Sequence, residues 1–173
     1  NEPGNTAMTA LKYRGATPGT MLLECLYTLD AVASDVLQTS RYLPATTIRI
    51  VADAQGKDHS ASLAHARINE ACEAVPADTA VTIIRTYTQQ LRDMVKVSES
   101  IANRQAPELL DTARQQSRQM LEKEINRLKA LRRINPNVRS EEIEFMELQL
   151  DAVTAALDAA SFRLEALRVI VVT

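Results

Sequence analysis

One apolar seam dominates the second half of the chain: Ile143, Met146, Leu150, Val153, Leu157, Ala160, Leu164 and Leu167 follow one another at spacings of three and four. A helix brings positions at those spacings onto one face, so the run predicts an α-helix with a single packing side. Upstream, Leu110, Leu121, Ile125, Leu128 and Leu131 supply a second apolar series. Between the two lies "NPN", Asn135 to Asn137. A reversal there sets Leu131 against Ile143, Leu128 against Met146, Leu121 against Val153 and Leu110 against Leu164, apolar to apolar each time. That register predicts an antiparallel helical hairpin with arms from Pro107 to Leu131 and from Glu141 to Leu167. Pro136 disfavours helix at Asn135, and Ser140 is the expected cap of the second arm, ahead of Glu141 and Glu142.

The first third follows a different period. In "GTMLLECLYTLDAV" the residues Met21, Leu23, Cys25, Tyr27 and Leu29 alternate with Glu24, Thr28 and Asp30, the pattern of a half-buried strand. "TTIRIVADAQG" repeats it with Ile48 and Ile50 and ends at a glycine turn, and "TALKYR" is a shorter candidate. Residues 58–77 show no clean period and read as a loop with room for a short helix. Asp78 is the expected N-cap of a helix carrying Val81, Ile84, Leu91, Val95 and Ile101; Pro107 either kinks it or starts a new one. The β-branched end, "RVIVVT", is suited to a buried strand that returns to the N-terminal sheet.

The expectation is therefore a single α+β domain over residues 1–173. A small antiparallel sheet from 6–56, closed by a strand at 168–173, shares one core with the long helices of 78–167. At 173 residues the chain can bury a core without staples, and 3% aromatics with no Trp predict aliphatic packing. It opens "NEPGNTAMTALKY", turn-formers first and no initiating Met, as a domain excised from a longer protein would. No apolar run approaches the roughly 20 residues that span a bilayer. Two cysteines cannot build a disulfide framework, which fits the reducing cytoplasm.

Catalytic signatures are missing. The sequence has no Walker-type, dinucleotide-binding or zinc-protease motif, and four glycines leave little for a phosphate-cradling loop. His59 and His65 stand six apart in the least regular segment; with Cys25 and Cys72 they lack zinc-ligand spacing. Cys25 alternates with core-facing residues and reads as a small hydrophobe, while a nucleophilic pair with His65 has no third residue to orient the base. The carboxylates Glu122, Glu124, Glu141 and Glu142 fall on hairpin arms where solvent meets them. Neither a catalytic residue nor a metal or cofactor site is assigned.

A charge step marks the hairpin tip. Arg127, Lys129, Arg132, Arg133 and Arg139 form a run without an acid, and Glu141, Glu142, Glu144, Glu147 and Asp151 form one without a base. Bases at a helix C-terminus and acids at the next N-terminus complement the two macrodipoles, at about 0.3–1 kcal/mol for each exposed contact. Cross-arm ion pairs add about 0–1 kcal/mol. The functional alternative makes Lys129, Arg132, Arg133 and Arg139 a contact for a partner. Nucleic acid is disfavoured as that partner, because residues 76–173 balance 14 bases against 14 acids and interleave no aromatic stacking platform.

"LEKEINRLKALRRINPNVRSEEIEFMELQ", followed by "LEALRVIVVT", resembles the C-terminal end of the RapA family, bacterial RNA polymerase-associated recycling ATPases of the SWI/SNF helicase-like superfamily. "PGTMLLECLY" and "RYLPATTIRIV" resemble the same region in the same order. The resemblance implies a parent that binds RNA polymerase and uses ATP and Mg in two upstream helicase lobes to free stalled polymerase in the cytoplasm. Neither the phosphate-binding Lys motif nor the acidic box of those lobes occurs here, so no catalytic residue carries over. What it implies for this chain is a non-catalytic, monomeric interaction domain that docks on polymerase or braces the ATPase lobes. Without the resemblance, the seam would suit a coiled-coil adaptor or oligomerisation domain.

Overall fold

A computed structural model describes residues 7–31, 36–135 and 137–173. They fall into two compact units, one within 1–28, 47–105 and 163–173, the other within 29–46 and 106–162.

The first unit is built on the alternating segments. β1 (Ala7–Leu11), β2 (Met21–Asp30), β3 (Thr47–Asp53), β4 (Cys72–Ala74) and β5 (Ser161–Val172) form a five-stranded sheet in the order β3-β2-β5-β1-β4. β2 and β3 pair antiparallel with Cys25 opposite Ile50, and β4 pairs antiparallel with β1. The expected α+β class and the C-terminal strand are both present. The sheet is mixed rather than wholly antiparallel, because β1 and β5 run parallel, Met8 opposite Val169 and Ala10 opposite Val171.

Successive side chains of a strand point to opposite faces. One face of β2 carries Met21, Leu23, Cys25 and Tyr27, all buried as the alternation predicts. The Tyr27 hydroxyl donates to Ser98 Oγ at 2.5 Å, and Ser98 in turn donates to the Val95 carbonyl at 2.9 Å. Ser98 belongs to α3 (Thr88–Ile134), whose buried positions in this unit are Met94, Ser98, Ile101 and Ala102. The opposite face is not left to solvent: Leu22 is fully buried with Leu11, Val51, Leu63, Ile68, Ile170 and Val172. Ile68 comes from α1 (His65–Ala71), so the stretch expected to be mostly loop supplies both a covering helix and β4.

In the second unit α3 pairs with α4 (Ser140–Asp158). Lys129 meets Glu147 at 2.7 Å and Arg114 meets Asp158 at 3.0 Å, so the arms run antiparallel as their register requires. Ala113, Leu121, Val153 and Leu157 form the buried cluster, with Met146 and Leu150 packed on it. A 3-10 turn at Thr39–Tyr42 is tied to both arms: Ser117 Oγ donates to the Tyr42 carbonyl at 2.6 Å, and Gln149 Nε2 donates to the Leu37 carbonyl at 2.7 Å. At the reversal the Asn135 side chain accepts the Asn137 N–H at 3.0 Å, a side-chain turn that substitutes for a backbone one. The expected role of Pro136 lies outside the described residues.

Several boundaries differ from expectation. α4 stops at Asp158, and Leu164 and Leu167 belong to β5. Phe162 and Leu164 alternate with Arg163 and Glu165, so this stretch satisfies a period of two as well as of three and four, and it continues into the part of β5 that pairs with β1 from Arg168 onward. Pro107 neither ends nor begins a helix, because α3 runs through it. The carbonyl of Asn103, four residues earlier, loses its donor there, and both residues are exposed to water that can replace it. α2 (Ala77–Thr86) separates from α3 at Tyr87, where the Thr86 and Thr88 hydroxyls donate back to the Thr82 and Ile84 carbonyls. The N-caps fall at Pro76 and Arg139 instead of Asp78 and Ser140, leaving Asp78, Glu141 and Glu142 in first turns.

Leu121 is fully buried whereas Leu128 keeps part of its surface in water. Leu121→Ala should therefore cost about 2–5 kcal/mol in denaturant unfolding, and Leu128→Ala distinctly less. Equal losses at the two sites would contradict the seam described here.

Candidate interaction surfaces

The hairpin tip carries the residues singled out from the sequence. Lys129, Arg132 and Arg133 come together with Ile143, Glu144 and Glu147 around an open depression of about 540 Å³, while Arg139 lies outside that lining at the N-terminus of α4. Lys129 is committed to Glu147 across the arms, and Arg127 pairs with Glu124 on its own helix at 2.5 Å. Arg132, Arg133 and Arg139 are exposed, and none forms an ion pair among the described residues. Arg132 and Arg133 occupy the last turn of α3, facing the negative end of its dipole. Beside them Ile134 is 81% exposed, and on α4 Phe145 and Leu148 are 39% and 56% exposed. Arginines next to uncovered large apolar side chains are the composition of protein-binding surfaces.

A second constellation sits on the sheet. Glu24 is buried on β2, and its Oε1 accepts from Arg49 Nε at 2.6 Å and from His65 Nδ1 at 3.1 Å, while Oε2 meets Arg168 Nε at 2.7 Å. Arg49 reaches it because β2 and β3 pair Leu26 with Arg49, making Glu24 the diagonal neighbour on the same face. Asn69, one helical turn after His65, accepts from Arg168 Nη1 at 2.8 Å and faces His65 Nε2 at 3.0 Å. Burial alone would raise the Glu24 carboxyl, but hydrogen bonds from His65 and Arg49 and the Arg168 charge outweigh it and hold the group below its ordinary value of 4.5. The sequence signal for this cluster is faint: charged residues at alternate positions in strands that are otherwise apolar.

The histidines and thiols hold no common site. His59 is buried with Nε2 at 3.0 Å from Asp53 Oδ2, and its Nδ1 lies 3.3 Å from the Tyr13 hydroxyl, so it fastens the loop after β3. Burial pushes the Asp53 carboxyl up, yet the His59 bond and the Lys57 and Gln55 backbone N–H groups leave it lowered. Cys25 and Glu24 are adjacent on β2 and point to opposite faces, so the thiol lies against Ser98 while His65 contacts Glu24. A Cys25 and His65 nucleophilic pair is thereby excluded. Among the described residues no group of three or more His, Cys, Asp or Glu side chains could hold a metal ion. No helix among them is long and apolar enough to cross a membrane.

Comparison with known proteins gives a consistent set of relatives. The family described as "RNA polymerase recycling family C-terminal" matches residues 1–172. The chain is 36% identical over 173 residues to the RNA polymerase-associated protein RapA of Sodalis glossinidius, and 35% identical over 172 residues to that of Erwinia tasmaniensis. It is 33% identical over 172 residues to the RapA of Proteus mirabilis. These matches cover 99–100% of this chain and 18% of each relative.

Burial pushes the Cys25 thiol above its ordinary range, whereas Cys72 is only half-buried. A thiol reagent applied to the folded chain should modify Cys72 and spare Cys25, read by mass spectrometry of tryptic peptides. For Glu24 the lowered value fixes the sign of a pH effect: its stabilisation is complete above 4.5 and drains away as pH falls through the folded-state value. Glu24→Gln should lower the melting temperature at pH 7, and the gap from the unmodified chain should narrow below pH 4.5. A gap independent of pH would mean that the carboxylate charge does not matter.

Proposed function

Because the chain belongs to the RNA polymerase recycling family as its C-terminal region, we propose that it is a non-catalytic interaction module of a RapA-like ATPase, docking on RNA polymerase or bracing that protein's ATPase lobes. The observation that carries this reading is the match over residues 1–172, with relatives whose names tie them to polymerase. In the whole protein, ATP and Mg would be handled by lobes outside this region. The chain's own contribution is recognition in the cytoplasm, and it works as a monomer.

The contact is the hairpin tip, through Arg132, Arg133 and Arg139 with Lys129 at its border. Three guanidiniums without ion pairs among the described residues, beside exposed Ile134, offer planar donors for carboxylates next to apolar surface. Nucleic acid fits less well, since Glu144 and Glu147 line the same depression and would repel phosphates. The coiled-coil adaptor reading is weaker because Leu121 and Val153 are already buried within one chain and leave no seam for a second.

The triple change Arg132→Ala, Arg133→Ala and Arg139→Ala removes only exposed side chains, so stability should move by no more than about 0.5 kcal/mol for each. In pull-downs with core RNA polymerase, and separately with purified ATPase lobes, the unmodified chain should be retained by one of the two and the triple variant lost from it. Retention by neither would end the interaction reading. Undiminished retention of the triple variant would move the contact away from the tip.

A further inference from the structure

The sheet face that carries Glu24 is covered by α1 over Leu22 and Ile170, and that cover ends at His65 and Asn69. Beyond its edge opens a cavity of about 250 Å³ lined by Leu26, Arg49, His65, Ala166, Leu167 and Arg168. The charges there do not cancel. Arg168 has only donors, so Asn69 turns its oxygen to that guanidinium and its nitrogen to His65 Nε2, which accepts; the ring proton then sits on Nδ1 and is given to Glu24. With the ring held in that tautomer, two guanidiniums face one carboxylate, leaving one positive charge in excess.

Hydrogen-bonding capacity is left over as well. Glu24 takes one nitrogen from each arginine and Asn69 takes one more from Arg168. Arg49 Nη2 is buried without a partner, and among the described residues the contacts of the two arginines run through Arg49 Nε and through Arg168 Nε and Nη1. Guanidiniums held rigidly by a buried carboxylate, with free N–H edges and apolar walls around them, are arranged to receive a second anion.

We propose that this cavity binds the carboxylate of an acidic side chain on a protein partner, with an apolar neighbour of that side chain resting on Leu26 and Ala166. No Phe, Tyr or Trp ring lines it to stack a base, which disfavours nucleic acid as the source of the anion. The site is separate from the hairpin tip and stands whichever macromolecule that tip engages.

The test is a titration of the whole chain, followed by ¹H–¹⁵N spectra of backbone amides and arginine Nε–H groups. Three probes are used: the peptide acetyl-Ala-Leu-Glu-Leu-Ala-amide, its Glu-to-Gln counterpart, and inorganic phosphate. The glutamate peptide should give saturable shifts at Arg49, Arg168, Leu26 and Ala166 at millimolar concentration, with the Gln peptide at least about tenfold weaker. Leu26→Glu sets a carboxylate of the chain's own in the same space, and with its amide spectrum otherwise folded it should abolish the response. Equal response to the two peptides, no saturable response, a response to phosphate alone, or persistence in Leu26→Glu would each overturn the proposal. The comparison of the two peptides needs no variant, so it decides the matter even if Leu26→Glu fails to fold.

Discussion

The placement of β5 between β2 and β1 is the constraint on which the first unit depends. Without that strand the order β3-β2-β5-β1-β4 breaks into two separate pairs, each with exposed hydrogen-bonding edges and marginal stability alone. Ile170 and Val172, both buried, bridge the gap between Leu22 on one side and Leu11 on the other. The parallel pairing of β1 with β5 joins residues 7–11 to residues 168–172, separated by nearly the whole sequence. A contact of that range closes late and slowly, because the loop entropy must be overcome before any of it is rewarded.

Charge on the covered face reinforces the register. Glu24 on β2, Arg49 on β3 and Arg168 on β5 meet only when all three strands present those residues to the same side. A slip of β5 by one position would send Arg168 to the face occupied by Cys25, Tyr27 and Ile50, where it would be buried without a counter-charge. Desolvation makes such a cluster a modest source of net stability, and a strong penalty on every wrong alignment. Its value to the fold is therefore selection of one pairing among several that the apolar pattern alone would tolerate.

How much of this could be read in advance follows from which forces are local. The seam from Ile143 to Leu157 and the alternation from Met21 to Tyr27 were legible, because each records one face against one core. Beyond Asp158 the same apolar residues fit two periods, and only the vacancy between β1 and β2 decides for a strand; no local count contains that information. Pro107 was ambiguous for a related reason, since a solvent-facing helix position tolerates a lost hydrogen bond that an enclosed one would not. The short elements α1 and β4 left little trace, Ile68 being the single buried residue in seven. Of the surfaces, the basic tip was visible as a run of like charge. The Glu24 cluster drew on residues 24, 49, 65, 69 and 168, and its sequence separation concealed it.

The two arginine groups differ in a way that bears on recognition. At the tip, Arg132 and Arg133 end in water and lose side-chain freedom on binding, so each contact must first offset that ordering. Arg49 and Arg168 are already fixed by Glu24, with side chains only 20% and 17% exposed, and a ligand meeting them would find the geometry prepared. The tip suits a first, adaptable encounter governed by charge, since exposed charges steer approach more than they hold a complex. The cavity on the sheet suits a narrower choice, because a carboxylate that fills it must also match the apolar walls of Leu26 and Ala166. Carboxylate complementarity is common to both, so at either site the matching surface is an acidic side chain with an apolar residue beside it.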